Sequence, residues 1–152
     1  MLEIISSQKT VRHYVLALAI LFSVLFAPGA MLYAASSLNG NASAVVAYEL
    51  SNQGAMTLID IRRPSEWQQT GVGKGVHKIS MHESGFVERI DALLSGDRSK
   101  PLALICAAGN RSSMVKAKLN AIGFTNVTNI AEGMFGSGAG PGWLKRDLPL
   151  EQ

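Results

Sequence analysis

The sequence predicts an α/β fold, a central, mostly parallel sheet flanked by helices on both faces. Three observations carry that prediction. Short apolar runs at residues 56–61, 76–79, 101–105 and 127–130 alternate with longer stretches of helical periodicity, the pattern of strand–helix–strand crossovers. The run 101–105 is Pro, Leu, Ala, Leu, Ile, apolar throughout, as a strand covered on both faces must be. Residues with chemistry to offer, Asp60, Arg62, Cys106 and Glu132, each fall at the C-terminal end of a strand, where parallel α/β folds place their sites.

Residues 1–13 are polar and include Lys9 and Arg12, and residues 14–35 then run without a charge. Twenty-two such residues in a helix rise ~33 Å, enough to cross a hydrocarbon core of ~30 Å. Two readings follow, a secretory signal broken at Pro28 and Gly29, or a single transmembrane anchor that is retained. Both place the basic flank inside and the rest of the chain outside. The expected address is therefore export, in a bacterial cell the periplasm, soluble or anchored to the inner membrane by residues 14–35. The domain plan is 1–35 signal peptide or anchor, 36–41 linker, and 42–152 folded domain.

Within that domain, residues 42–53 read as a helix stopped by Gly54, and 56–61 as a strand ending at Asp60 and Arg62. Pro64 suits the first turn of a short helix that includes Glu66 and Trp67. Gly71, Gly73 and Gly75 mark a turn-rich approach to the strand at 76–79. In the stretch 83–94, Phe86, Val87, Ile90, Leu93 and Leu94 recur at helical intervals and define an inward stripe. Residues 96–100 form a charged turn. A strand at 101–105, a helix at 112–121 closed by Gly123, and a last strand at 127–130 complete the pattern. Trp67 and Trp143 read as packing residues, with Trp143 also placed to flank a pocket because the Gly-rich run 136–142 leads into it.

Composition narrows the chemistry. The chain has 152 residues, 47% of them hydrophobic, and a net charge of +3, which suits one ordinary domain with a core. From residue 36 onward 12 basic side chains face 10 acidic ones, scattered without a ridge, so a nucleic-acid partner is not expected. A single cysteine cannot form an intrachain disulfide, and His77 and His82 lack the partners of a metal site. The Gly-rich run lacks the strand-then-lysine context of a phosphate loop. No metal and no cofactor are expected.

What remains is the stretch Leu104, Ile105, Cys106, Ala107, Ala108, Gly109, Asn110, Arg111, Ser112, Ser113. It delivers the lone thiol to the end of a buried strand, just before a helix. Backbone N–H groups and the positive helix end stabilise a thiolate in that position. Gly109 reaches left-handed dihedrals without steric cost and Asn110 tolerates them. The loop reads as a cradle for an anionic, sulfur-centred species.

Cysteine, two residues, glycine, one residue, arginine and serine between a strand and a helix resembles the active-site loop of rhodanese-like sulfurtransferases. Leu58, Ile59, Asp60, Ile61 and Arg62, then Ser65, Glu66 and Trp67, then the 75–79 region, then Glu132, Gly133, Met134 and Trp143 agree with that family in order. The resemblance covers about residues 41–152 and implies a single rhodanese-like domain. It implies a sulfurtransferase that moves a sulfane sulfur from thiosulfate, polysulfide or a persulfide to a thiol or cyanide through a Cys106 persulfide. Its partners would be a small sulfur-containing anion and a thiol acceptor, small or on a protein. Cys106 and Arg111 would be catalytic, with Ala107, Ala108, Gly109, Asn110 and Ser112 holding the substrate and Asp60 and Arg62 supporting the loop. Family members often carry a basic residue straight after the cysteine; here it is Ala107, which disfavours thiosulfate as donor.

Two alternatives share these residues. A persulfide carrier or redox-sensing module needs the same loop and differs only in turnover. A cysteine-dependent phosphatase also uses a cysteine, a ring of amides and an arginine, but holds five residues between cysteine and arginine. Four lie between Cys106 and Arg111, a ring sized for one sulfur rather than a tetrahedral phosphate.

Overall fold

A computed structural model describes residues 40–152, which belong to one compact unit. The chain enters through β1 (Asn41–Ala42) and α1 (Ala44–Asn52), then β2 (Thr57–Asp60) and α2 (Pro64–Thr70). Two short strands, β3 (Val72–Gly73) and β4 (His77–Lys78), precede α3 (Phe86–Leu93). Next come β5 (Leu102–Ile105), α4 (Asn110–Ala121) and β6 (Val127–Ile130). The described residues end with α5 (Gly142–Lys145) and β7 (Leu150–Glu151). The main sheet runs β1-β6-β5-β2-β4, and all of its pairings are parallel. The expected α/β architecture is the observed one.

The period-two alternation of a strand sorts side chains to the two faces. Leu58, Ala103, Ile105 and Ile130 pack with Ala44, Ala47 and Leu50 of α1 and with Trp143. Ile59, Leu102 and Leu104 turn to the other face and meet Ile90 and Leu94, Val115 and Leu119 of α4, and Cys106. Each fully buried Leu or Ile contributes about 2 kcal/mol of transfer free energy. That burial fixes the C-terminal ends of β2 and β5, from which the site is built.

Several elements depart from the sequence reading for local reasons. Residues 41–42, read as linker and helix start, form an edge strand on β6. The helix begins at Ala44 because Ser43 takes an extended conformation and its hydroxyl accepts from the Val46 amide at 3.3 Å. The helix expected from 83 starts at Phe86, since Gly85 sits in the left-handed region at φ 70°. The helix expected from 112 starts at Asn110, so Arg111 lies in its first turn and not in the loop. The Gly-rich run leads into α5, and β7 pairs antiparallel with β3; neither small element was expected.

The stretch 14–35 and most of the linker lie outside the described residues. Among the described residues no helix is long and apolar enough to cross a membrane. The expected transmembrane segment is thus not found among the described residues, and the signal peptide and periplasmic address rest on the sequence of residues 14–35 alone.

Candidate active site

Cys106 follows the last residue of β5 and is 1% exposed. The backbone that leaves it is held by the turn after β6. The Cys106 and Ala107 carbonyls accept from the amides of Met134 and Phe135, each at 2.9 Å. A trans peptide points its N–H away from its carbonyl, so anchoring Ala107 outward turns the next amide inward. The backbone N–H groups of Ser112, Ala108 and Gly109 act on the sulfur as donors that favour its ionised form.

Two glycines permit this contact between backbones. Gly133 has φ 63°, and a Cβ there would stand 2.5 Å from the Ala107 carbonyl oxygen. Gly109 has φ 84°, and a Cβ there would overlap the Ala131 carbonyl. Only glycine takes that dihedral and fits that gap without strain.

Ser112 is fully buried. Its hydroxyl lies 3.3 Å from the Cys106 Sγ and 3.1 Å from the Gly109 carbonyl oxygen. One hydroxyl proton cannot serve both at once, and an ionised sulfur is the stronger acceptor. Burial pushes the Cys106 thiol up, but the Ser112 hydroxyl and the amides of Ser112, Ala108 and Gly109 outweigh it and leave the thiol below its ordinary value. A thiolate in this position is a nucleophile that needs no separate base.

Arg111 stands beside the sulfur and acts on it, with its charge already paired elsewhere. Its guanidinium is held fork-to-fork by Glu66 of α2, Nη1 to Oε2 at 2.8 Å and Nη2 to Oε1 at 2.6 Å. The pair is partly open to solvent, with side-chain exposures of 28% and 24%. Glu66 also accepts from the Arg63 amide at 3.0 Å, at the start of α2. The Arg111 guanidinium, helped by that amide, lowers the Glu66 carboxyl to about 2, and Glu66 in turn raises Arg111, with a smaller contribution from the Cys106 thiolate.

Asp60 and Arg62 are both fully buried and paired at 2.7 Å. Arg62 also donates to the Thr70 hydroxyl at 2.9 Å and to the Gly71 carbonyl at 2.8 Å. Arg62 therefore ties the end of β2 to the end of α2, the helix that carries Glu66, and these contacts make it a brace rather than a ligand for an anion. Ala107 and Ala108 are half-buried and Asn110 is exposed. The amides that act on the sulfur belong to Ala108, Gly109 and Ser112, three of the five residues expected to hold the substrate. Trp143 is fully buried, with its indole N–H donated to the Pro149 carbonyl at 3.2 Å; it packs and does not line the sulfur.

Two carboxylates were not assigned roles by sequence. Glu66 carries a local explanation, the acidic residue of a capped first turn, which masks its partner 45 positions away. Glu132 is 1% exposed and accepts from the Ala44 amide at 2.6 Å, the Gly142 amide at 2.9 Å and Arg146 Nε at 2.9 Å. It caps two helices with one charge. The separation of its partners leaves no spacing signal. Among the described residues no group of acidic, histidine and cysteine side chains is arranged to hold a metal.

A model of the rhodanese-like domain family matches residues 43–137. An uncharacterized Rickettsia rickettsii protein, an RP600 homolog, is 27% identical over 119 residues, spanning 73% of this chain and 96% of its own length. The crystal structure of Rv0390 from M. tuberculosis is similar at TM-score 0.59 and 26% identity, covering 74% of this chain and 97% of that one. The polysulfide-sulfur transferase of Wolinella succinogenes, a 30 kDa homodimer, is similar at TM-score 0.57 and 28% identity, covering 86% and 89%.

Proposed function

The chain belongs to the rhodanese-like domain family, and we propose that it is a sulfurtransferase working through a persulfide on Cys106. The observation that carries this reading is the sulfur's surroundings, a buried thiol facing three amides and a serine hydroxyl, all donors. Donors alone favour an anion, first the thiolate and then Cys106–S–S⁻, which is larger and more diffuse.

In the first half-reaction the Cys106 thiolate attacks the sulfane sulfur of the donor. With a persulfide RS–SH, the new Sγ–S bond forms as the donor's S–S bond breaks, and RS⁻ leaves with the electron pair. With thiosulfate, sulfite leaves in the same way. In the second half-reaction a thiolate acceptor attacks the outer sulfur and takes it as its own persulfide, returning Cys106 as thiolate. The charges balance and no oxidant is consumed. Ala108, Gly109 and Ser112 hold the anion in both states, so the same ring serves substrate and product, and ping-pong kinetics are expected.

Incubating the protein with a sulfane donor should add the mass of one sulfur atom, map it to Cys106, and lose it to cyanide or a dithiol. Cys106→Ser should abolish the adduct and turnover, because a hydroxyl is a weak nucleophile at neutral pH. Sustained release with excess donor and acceptor supports an enzyme; release of one equivalent per Cys106 supports a carrier. No adduct with any donor, together with Cys106-dependent hydrolysis of an aryl phosphate, would hand the site to the phosphatase reading.

A further inference from the structure

We propose that Glu66 is a specificity-determining residue, a counter-charge that occupies Arg111 and turns the site away from compact dianionic donors toward low-molecular-weight persulfides. The inference rests on the sulfurtransferase reading and names the donor class for that same site.

The guanidinium that would meet an arriving anion is Arg111, in the first turn of the helix after the cysteine loop. Its Nη1 and Nη2 already donate to the two oxygens of Glu66, so its charge is paired before any anion arrives. A dianion such as thiosulfate meets a pair whose charges cancel, and gains both Nη atoms as partners only by displacing a bidentate carboxylate. That carboxyl is lowered to about 2, so the competitor stays charged at any physiological pH.

Neighbouring charges do not make up the difference. Arg62 is closed off by Asp60 and Arg146 by Glu132, and the position after the cysteine is Ala107 rather than a basic residue. These three arginines are thus all paired with carboxylates, and amide and hydroxyl dipoles remain as the donors beside the sulfur. Those dipoles suit a single diffuse sulfur anion. A compact dianion gains less from them and is repelled by the Cys106 thiolate.

A structural brace between α2 and α4 would use the same hydrogen bonds, so the test must separate charge from bracing. Full-length wild type, Glu66→Gln and Glu66→Asp are loaded in single turnovers with thiosulfate and, separately, with the persulfide of 2-mercaptoethanol. Sulfur addition is followed by intact mass, and the quantity read is the ratio of the two second-order rate constants. Because both rates come from one preparation, the ratio does not depend on the folded fraction.

Removing one charge beside the site should raise the thiosulfate-to-persulfide ratio about tenfold in Glu66→Gln, mostly through a lower half-saturating thiosulfate concentration. Glu66→Asp, which keeps the charge but shortens the arm, should leave the ratio at its wild-type value. If both variants slow with both donors at constant ratio, Glu66 is a brace only and the proposal is overturned. A ratio that shifts equally in both variants overturns it as well. If wild-type protein takes no sulfur from either donor, the sulfurtransferase reading itself fails, a result distinct from either of these.

Discussion

At the scale of single residues, the sulfur and the serine hydroxyl 3.3 Å away decide the chemistry. The reactive form of Cys106 is the thiolate, and the surrounding donors lower its pKa. The rate of alkylation should therefore rise with pH to a plateau whose midpoint lies below the free-thiol value of ~8.5. In Ser112→Ala the buried hydroxyl is gone while the three amides remain. The midpoint should move upward, and alkylation at neutral pH should slow about tenfold, the order expected for one hydrogen bond to a charged group. A stopped-flow pH series on both proteins checks this; an unmoved midpoint would assign Ser112 to the Gly109 carbonyl instead. Cys106, Gly109 and Arg111 could be found in the sequence because they fall within six consecutive residues. Glu66 could not, because a pair between two helices leaves no local period and its capping position already accounted for it.

At the scale of elements, the cysteine loop and the turn after β6 are built as one piece. Met134 and Phe135 hold the carbonyls of Cys106 and Ala107, and glycines at 109 and 133 let the two backbones close. Gly133→Ala must place a methyl against the Ala107 carbonyl at a positive φ, which should destabilise the protein by about 2 kcal/mol or more. Chemical denaturation measures that loss, and the thiol of the variant should also become less acidic because the Ala108 amide loses its fixed direction. The strands were readable because buried runs such as 102–105 have nowhere else to go. Helix starts were misplaced wherever a glycine or serine cap overrode the apolar stripe, at Ser43, Gly85 and Gly109. The misplacement at Gly109 mattered most, since it moved Arg111 from loop to helix and so toward Glu66.

At the scale of the whole folded unit, the sheet apart from its β1 edge, and its two cores, were legible from alternation, whereas the ties between distant segments were not. Glu132 joins the start of α1 to the start of α5 and to Arg146 through one buried carboxylate. Burial raises its pKa, and the amides of Ala44 and Gly142 with Arg146 lower it further than that, so the folded value lies below the ordinary carboxyl. Its contribution to stability is then complete above the unfolded value of 4.5 and is lost as pH falls through the folded value. Glu132→Gln should cost about 3 kcal/mol at neutral pH, and the gap to wild type should narrow in acid; thermal melts at pH 7 and pH ~3 compare the two. The anchored cysteine loop has one further consequence. Its inward amides at Ala108 and Gly109 have sulfur as their acceptor, whereas Met134 and Phe135 have carbonyls. Deuterium uptake at 108 and 109 should thus slow when Cys106 is ionised or carries an extra sulfur, while uptake at 134 and 135 stays constant. The backbone would report the state of the thiol with no label attached to it.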